Sequence, residues 1–166
     1  MRFSSLAQLR QLCEEEGAPI ARIMMAEQAR ESGLSPEEIE SRMASYYKVM
    51  KEAVRKGIYD NPRSRSGLTG GDAKRVHDYK AARDPSLGGE AATAMAYALA
   101  VSEVNAAMGR IIATPTAGSC GIIPGVFVSS QERFGWDDGV LVRGLFAAGA
   151  IGYVIANNSF VSGAEG

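Results

Sequence analysis

Ala113-Thr114-Pro115-Thr116-Ala117-Gly118-Ser119-Cys120-Gly121-Ile122-Ile123-Pro124-Gly125 sets one thiol in a stretch of small and hydroxyl-bearing residues that opens onto an apolar run. Thr114, Thr116 and Ser119 supply hydroxyls, Gly118 and Gly121 permit unusual backbone angles, and Pro115 and Pro124 fix φ. Such a loop can hold a thiolate close to a small polar ligand. Ordinary connectors share this composition, and most cysteines without a partner are inert, buried small hydrophobes, so a plain linker is the alternative. The second cysteine, Cys13, lies among Leu6, Leu9 and Leu12 on a short helical pattern ending at Gly17, where a thiol fills space. The two form no CxxC pair, and the chain has no Cys/His spacing of the zinc type.

A second chemical stretch is Ser66-Gly67-Leu68-Thr69-Gly70-Gly71-Asp72-Ala73-Lys74. Asp60-Asn61-Pro62 before it is a turn, and its serines, threonine and glycines make a polar loop after which a helix restarts at Asp72. Lys74 and Arg75 in the first turn of that helix oppose the macrodipole, so either an anion binds between loop and helix start or an acidic neighbour satisfies them. Arg63, Arg65 and Lys74 flank the glycines and would draw an anionic ligand. A nucleotide is poorly supported, since there is no GK[ST] and no preceding strand. His77, the only histidine, follows Lys74 at helical spacing, where a general base and an exposed surface histidine are both open readings.

The elements that must position these residues read as helices. Ser35-Pro36-Glu37-Glu38 has a capping hydroxyl, a proline at the first helical position and a glutamate that closes a capping box. Ile39, Met43, Tyr46, Met50 and Val54 then recur at helical steps until Gly57 stops the pattern. Two shorter helices precede it, at about residues 5–16 and 19–32. Two long Ala-rich segments, residues 89–108 and 138–156, flank the Cys120 loop and a shorter helix at about 122–134. Glu90, Ser102, Glu103 and Asn105 interrupt the first long segment and Arg143 the second, which favours core helices over membrane spans. Val126 to Ser129 and Ile151 to Ile155 have strand-like residue types but no strand alternation. The expectation is an all-α fold: one helical domain over residues 1–166, a bundle with two long Ala-rich central helices and Gly-rich active-site loops.

At 166 residues the chain is long enough to bury a core. With 22% charged residues and a net charge of −1, neither a disordered polyelectrolyte nor a general nucleic-acid binder is indicated. The first residues carry mixed charges and no apolar stretch of signal-peptide length, so a cytoplasmic protein with reduced thiols, binding neither membrane nor nucleic acid, is expected.

Together the two glycine-bearing motifs, with Asn157-Asn158-Ser159 and Ser162-Gly163-Ala164-Glu165-Gly166, resemble the α subunit of iron-sulfur-dependent L-serine dehydratase, over essentially the whole chain and in order. The resemblance implies a largely helical catalytic domain that binds L-serine and holds a 4Fe-4S cluster through three cysteine thiolates. One iron then acts as a Lewis acid on the β-hydroxyl while a base removes the α-proton, giving aminoacrylate and then pyruvate and ammonia. It also implies a β subunit or β domain that completes the substrate pocket.

Among the cluster ligands only Cys120 carries over to this chain, and Cys13 matches no ligand position. The expectation is therefore a chain truncated before the remaining cluster-binding segment, which alone is without the cluster, inactive and prone to self-association as a homo-oligomer. For the other roles, chemistry suggests Thr114, Thr116 and Ser119 for the substrate hydroxyl or the cluster sulfurs, and Thr69, Gly70 and Gly71 for the substrate carboxylate. Lys74 is the candidate for carboxylate pairing or proton transfer. The competing reading is a non-catalytic helical module whose glycine loops bind an anion or a protein partner.

Overall fold

The computed structural model describes residues 1–113 and 119–159. Among these residues there are seven helices and no strand, as expected: α1 Leu6–Glu16, α2 Ile20–Ser32, α3 Pro36–Tyr59, α4 Asp72–Ala82, α5 Gly89–Ala106, α6 Ser119–Phe134 and α7 Asp138–Asn158. They group into two compact units, one of Met1–Ser45 with α7 and one of Tyr46–Asp137.

Local chemistry sets several boundaries. Ser5 caps α1 with its hydroxyl, accepting the Gln8 N–H at 3.3 Å, and Gly17 ends the helix in the left-handed region at φ 57°. The capping box at α3 is formed: Ser35 N–H donates to Glu38 Oε2 at 2.8 Å and Glu38 N–H to Ser35 Oγ at 3.2 Å. Gly57 does not stop α3, which runs on to Tyr59. A Cβ on Gly57 would lie 2.4 Å from the carbonyl oxygen of Ala100, so this glycine is there to let α3 touch α5. Tyr47 is the buried aromatic of α3, while neighbouring Tyr46 is half exposed. The Tyr47 hydroxyl donates to Gln131 Oε1 at 2.8 Å.

In the first unit α2 packs against α7, burying Ile23 and Met24 from one helix and Leu145, Phe146 and Ala150 from the other. Phe3 meets Tyr153 edge to face at 5.6 Å, and Asn158 Nδ2 donates to the Ser4 carbonyl at 2.7 Å. Buried Glu27 receives the Arg2 backbone N–H at 2.6 Å, the Arg2 guanidinium at 2.5 Å and the Arg30 guanidinium at 2.5 Å. α7 is long and apolar enough to cross a membrane by length and composition. A third of that apolar window is buried inside the protein, and Ile151 and Ile155 on its outer side are exposed.

The second unit is arranged about α5, which α4 and α6 both contact. Ala92, Ala96 and Ala100 form a fully buried stripe at steps of four along α5. Gly121 and Gly125 of α6 have the same spacing and meet α5 backbone to backbone. A Cβ would lie 2.3 Å from the Ala98 carbonyl oxygen at the first and 2.7 Å from the Ala94 carbonyl oxygen at the second. Small residues on both helices are what this close approach requires.

Candidate functional site

Both chemical motifs contact α5, the 66–74 stretch at Glu103 and the described part of the thiol motif along Ala94 to Ser102. The 66–74 stretch is ordered by its own hydroxyls: Ser64 N–H donates to the Thr69 carbonyl at 2.9 Å, and Thr69 N–H donates to Ser64 Oγ at 3.1 Å. Leu68 stands at the tip, 90% exposed. Gly70 and Gly71 are buried and take φ of 134° and 90°, a chain path that side-chain-bearing residues rarely follow. A Cβ on Gly70 would also meet the Pro62 carbonyl oxygen at 2.4 Å, and the Arg63 guanidinium lies over Gly71, 3.4 Å from where its Cβ would be.

Gly71 leads straight into α4, whose first amides would otherwise be unsatisfied. The acceptor is Glu103 of α5: its Oε1 receives the N–H of Asp72 at 2.7 Å and of Ala73 at 3.1 Å. A carboxylate at this helix end also meets the positive end of the macrodipole. Glu103 is 3% exposed, and its second oxygen, Oε2, has no hydrogen-bond partner among the described residues. In the sequence Glu103 stands out only as a break in an apolar run. The signal is a carboxylate deep in an Ala-rich helix whose other glutamate, Glu90, lies in the first turn, within a chain that also carries a Gly-Gly-Asp helix start lacking a side-chain cap of its own.

The thiol motif reaches the adjacent turn of α5. A Cβ on Gly121 would lie 3.0 Å from Ser102 Oγ, and Ser102 precedes Glu103 in sequence. α6 begins at Ser119, three residues earlier than residue-by-residue reading suggests, so Cys120 sits in its first turn and not in a loop. Ser119 is half-buried and Cys120 is 1% exposed. Burial pushes the Cys120 thiol above its ordinary range, and a backbone hydrogen bond pulls the other way. Pro124 has no N–H to offer the Cys120 carbonyl one turn back. Thr114 and Thr116, the other hydroxyl candidates of this motif, lie outside the described residues.

Of the remaining candidates, Thr69 is exposed on the loop beside Gly70 and Gly71. Lys74 is exposed on α4, and its ammonium pairs with Asp78 at 2.5 Å; Arg75 pairs with Asp72 at 2.9 Å. The basic residues at the start of α4 are thus matched by acidic neighbours on the same helix, while the helix start itself is taken by Glu103. The hydrogen bond from Lys74 holds the Asp78 carboxyl below its usual range. His77 is half-buried, 3.6 Å from Asp78 and edge-on to the Tyr59 ring at 6.3 Å.

No group of three or more His, Cys, Asp or Glu side chains among the described residues could hold a metal ion. Cys13 belongs to the other unit, on α1. One thiolate does not make a four-iron site, so the described residues do not by themselves fit a 4Fe-4S cluster.

The family model for the serine dehydratase alpha chain matches residues 15–166. The chain is 38% identical over 164 residues to the probable L-serine dehydratase alpha chain of Bacillus subtilis, covering 99% of this chain and 54% of that protein. It is 34% identical over 155 residues to the L-serine dehydratase alpha chain of Peptoniphilus asaccharolyticus, covering 93% and 53%. To L-serine dehydratase 2 of Escherichia coli it is 33% identical over 174 residues, with 98% of this chain and 36% of that protein covered. The chain thus spans about half the length of the alpha chains it matches, or less of the longer protein. With two glycine-bearing motifs both packed on α5, this helical chain belongs to the serine dehydratase alpha chain family.

Proposed function

We propose that this chain supplies the α-chain part of an L-serine dehydratase, which converts L-serine to pyruvate and ammonia together with a β subunit or β domain. The observation that carries the reading is that two motifs, about fifty residues apart in sequence, both pack on α5, one hydrogen-bonded to Glu103 and the other against Ala98 and Ser102. A plain connector has no need to bury a thiol at the head of one helix and a carboxylate at the head of another in the same unit.

The chemistry is an elimination followed by hydrolysis. The α-proton and β-hydroxyl of serine leave as water, and the C–H electron pair becomes the double bond of aminoacrylate. Aminoacrylate tautomerises to the imine, which takes up water and releases ammonia and pyruvate. Hydroxide is a poor leaving group, so an electrophile must take charge from the departing oxygen. In the complete enzyme that electrophile is proposed to be an iron of a 4Fe-4S cluster, to which this chain would give the Cys120 thiolate.

The other roles fall to the chain's own residues. Gly70 and Gly71, with the hydroxyl of Thr69, form a turn over which the Arg63 guanidinium brings positive charge, a setting suited to the substrate carboxylate. Ser119, with Thr114 and Thr116, is proposed to bond the substrate hydroxyl. Lys74 is engaged by Asp78 on the surface, so a role in proton transfer would require that pair to open.

The test is incubation of the complete protein, with its β part, with L-serine under anaerobic conditions. Equimolar pyruvate and ammonia are expected. Serine left intact by a protein shown to be folded and fully loaded with iron and sulfide would overturn the reading and leave an anion-binding or protein-interaction module in its place.

A further inference from the structure

Two glutamates are the buried charged residues of the described chain, and they are compensated differently. Glu27, 1% exposed, is surrounded by the guanidinium groups of Arg2 and Arg30, and both its oxygens accept hydrogen bonds. Glu103, 3% exposed, has no cation paired with it among the described residues, where only Oε1 is used. A buried carboxylate oxygen with no donor costs about 1–3 kcal/mol or more, so native proteins seldom keep one without a partner supplied from elsewhere. The amides of α4 stabilise half of the group and leave the other half both unbonded and short of positive charge. Water would satisfy the hydrogen bond and not the charge, whereas a cationic donor satisfies both.

We propose that Glu103 Oε2 receives the α-ammonium group of the amino-acid substrate. The proposal rests on the serine dehydratase reading and assigns a substrate contact to a residue outside both motifs. Its geometry pairs opposite ends of the zwitterion with opposite charges: Arg63 lies over Gly71 on one side of the turn, and the Glu103 carboxylate is bonded to the amide of the next residue, Asp72. The same carboxylate fixes the start of α4, so ammonium recognition and the position of the Gly70-Gly71 turn depend on one side chain.

Glu103→Gln separates the two roles. Its amide oxygen still accepts the Asp72 and Ala73 N–H groups, while its amide nitrogen puts a donor where Oε2 stood. In the complete enzyme the KM for L-serine is expected to rise about tenfold or more. The inhibition constant of 3-hydroxypropionate, which is serine without the ammonium group, is expected to move less than about twofold. A parallel rise in both constants would mean that the substitution merely distorts the site, and no change in either would mean that Oε2 faces only water; both outcomes overturn the proposal. A measurement without any variant stands beside it: wild-type enzyme that binds 3-hydroxypropionate as tightly as L-serine also overturns it. Wild-type enzyme that turns over serine but shows no such discrimination sinks the ammonium contact alone, while enzyme that makes no pyruvate sinks the dehydratase reading and this contact with it.

Discussion

Glu103 Oε1 accepts the backbone N–H of Asp72 at 2.7 Å, so the helix after the Gly70-Gly71 turn is capped by a side chain 31 residues further along the chain. Capping residues normally precede the helix they cap, and Gly71 at the cap position of α4 has no side chain to offer. The turn is therefore held in place by α5 and has no cap of its own. Glu103→Ala is expected to lower stability by about 1–3 kcal/mol, because it removes a buried acceptor from two helix-end amides. Urea unfolding followed by circular dichroism measures this; a change below about 0.5 kcal/mol would mean that the cap carries no weight.

Backbone contact between α5 and α6 gives the second expectation. Gly121→Ala and Gly125→Ala each push a methyl group into the main chain of α5, at Ala98 and Ala94. Each is expected to cost about 1–3 kcal/mol. Gly152→Ala on α7, where an added Cβ meets nothing within 4 Å, is expected to be neutral or slightly stabilising through helix propensity. Thermal unfolding of the three variants gives the order, and equal effects at all three sites would remove the argument for close approach.

How much of this was legible beforehand depends on whether the reason was local. The capping box of Ser35 and Glu38 and the helix end at Gly17 lie within one helical turn of what they determine, and both stand where the sequence puts them, Gly17 in the left-handed region. Gly57 looked like the same kind of stop, yet its reason is Ala100, far along the chain, so α3 ran on. Ser119, Cys120 and Gly121 read as loop residues by type, while close packing of Gly121 on Ala98 accompanies their place in α6. Glu103 was visible as a polar residue in an apolar helix, but its role needed α4 brought alongside. The family, in contrast, was legible from the motifs alone.

Glu27 gives a dependence on pH. Burial alone would raise its pKa, but the hydrogen bonds from Arg2 and the charges of Arg2 and Arg30 outweigh it and hold the folded value below the ordinary one. A carboxyl depressed in the folded state contributes stability above its unfolded pKa of about 4.3, and loses that contribution as pH falls through the folded value. Glu27→Gln is thus expected to be less stable than wild type at pH 7, with the gap closing below about pH 4. Urea melts of both proteins from pH 7 to pH 3 test this, and a gap that is constant or widens toward acid would contradict it.

The two cysteines differ in access. Cys13 is half-buried, whereas Cys120 is buried and its thiol is pushed up by that burial, so little thiolate is presented to a reagent at neutral pH. Iodoacetamide is expected to label Cys13 at least about tenfold faster than Cys120 in the folded chain, with the difference vanishing in urea. Mass spectrometry of timed samples measures both sites together. Equal rates in the folded state would show that the head of α6 is open to solvent.

The proposed dehydratase role rests most directly on the Cys120 thiol at the head of α6, with no part for the thiol of Cys13. The direct measurement is pyruvate formation from L-serine by complete α/β protein carrying either Cys120→Ser or Cys13→Ser, each prepared anaerobically and compared with wild type. Loss of at least about a hundredfold in kcat is expected for Cys120→Ser, with Cys13→Ser close to wild type. Full activity in the Cys120→Ser protein would contradict the claim.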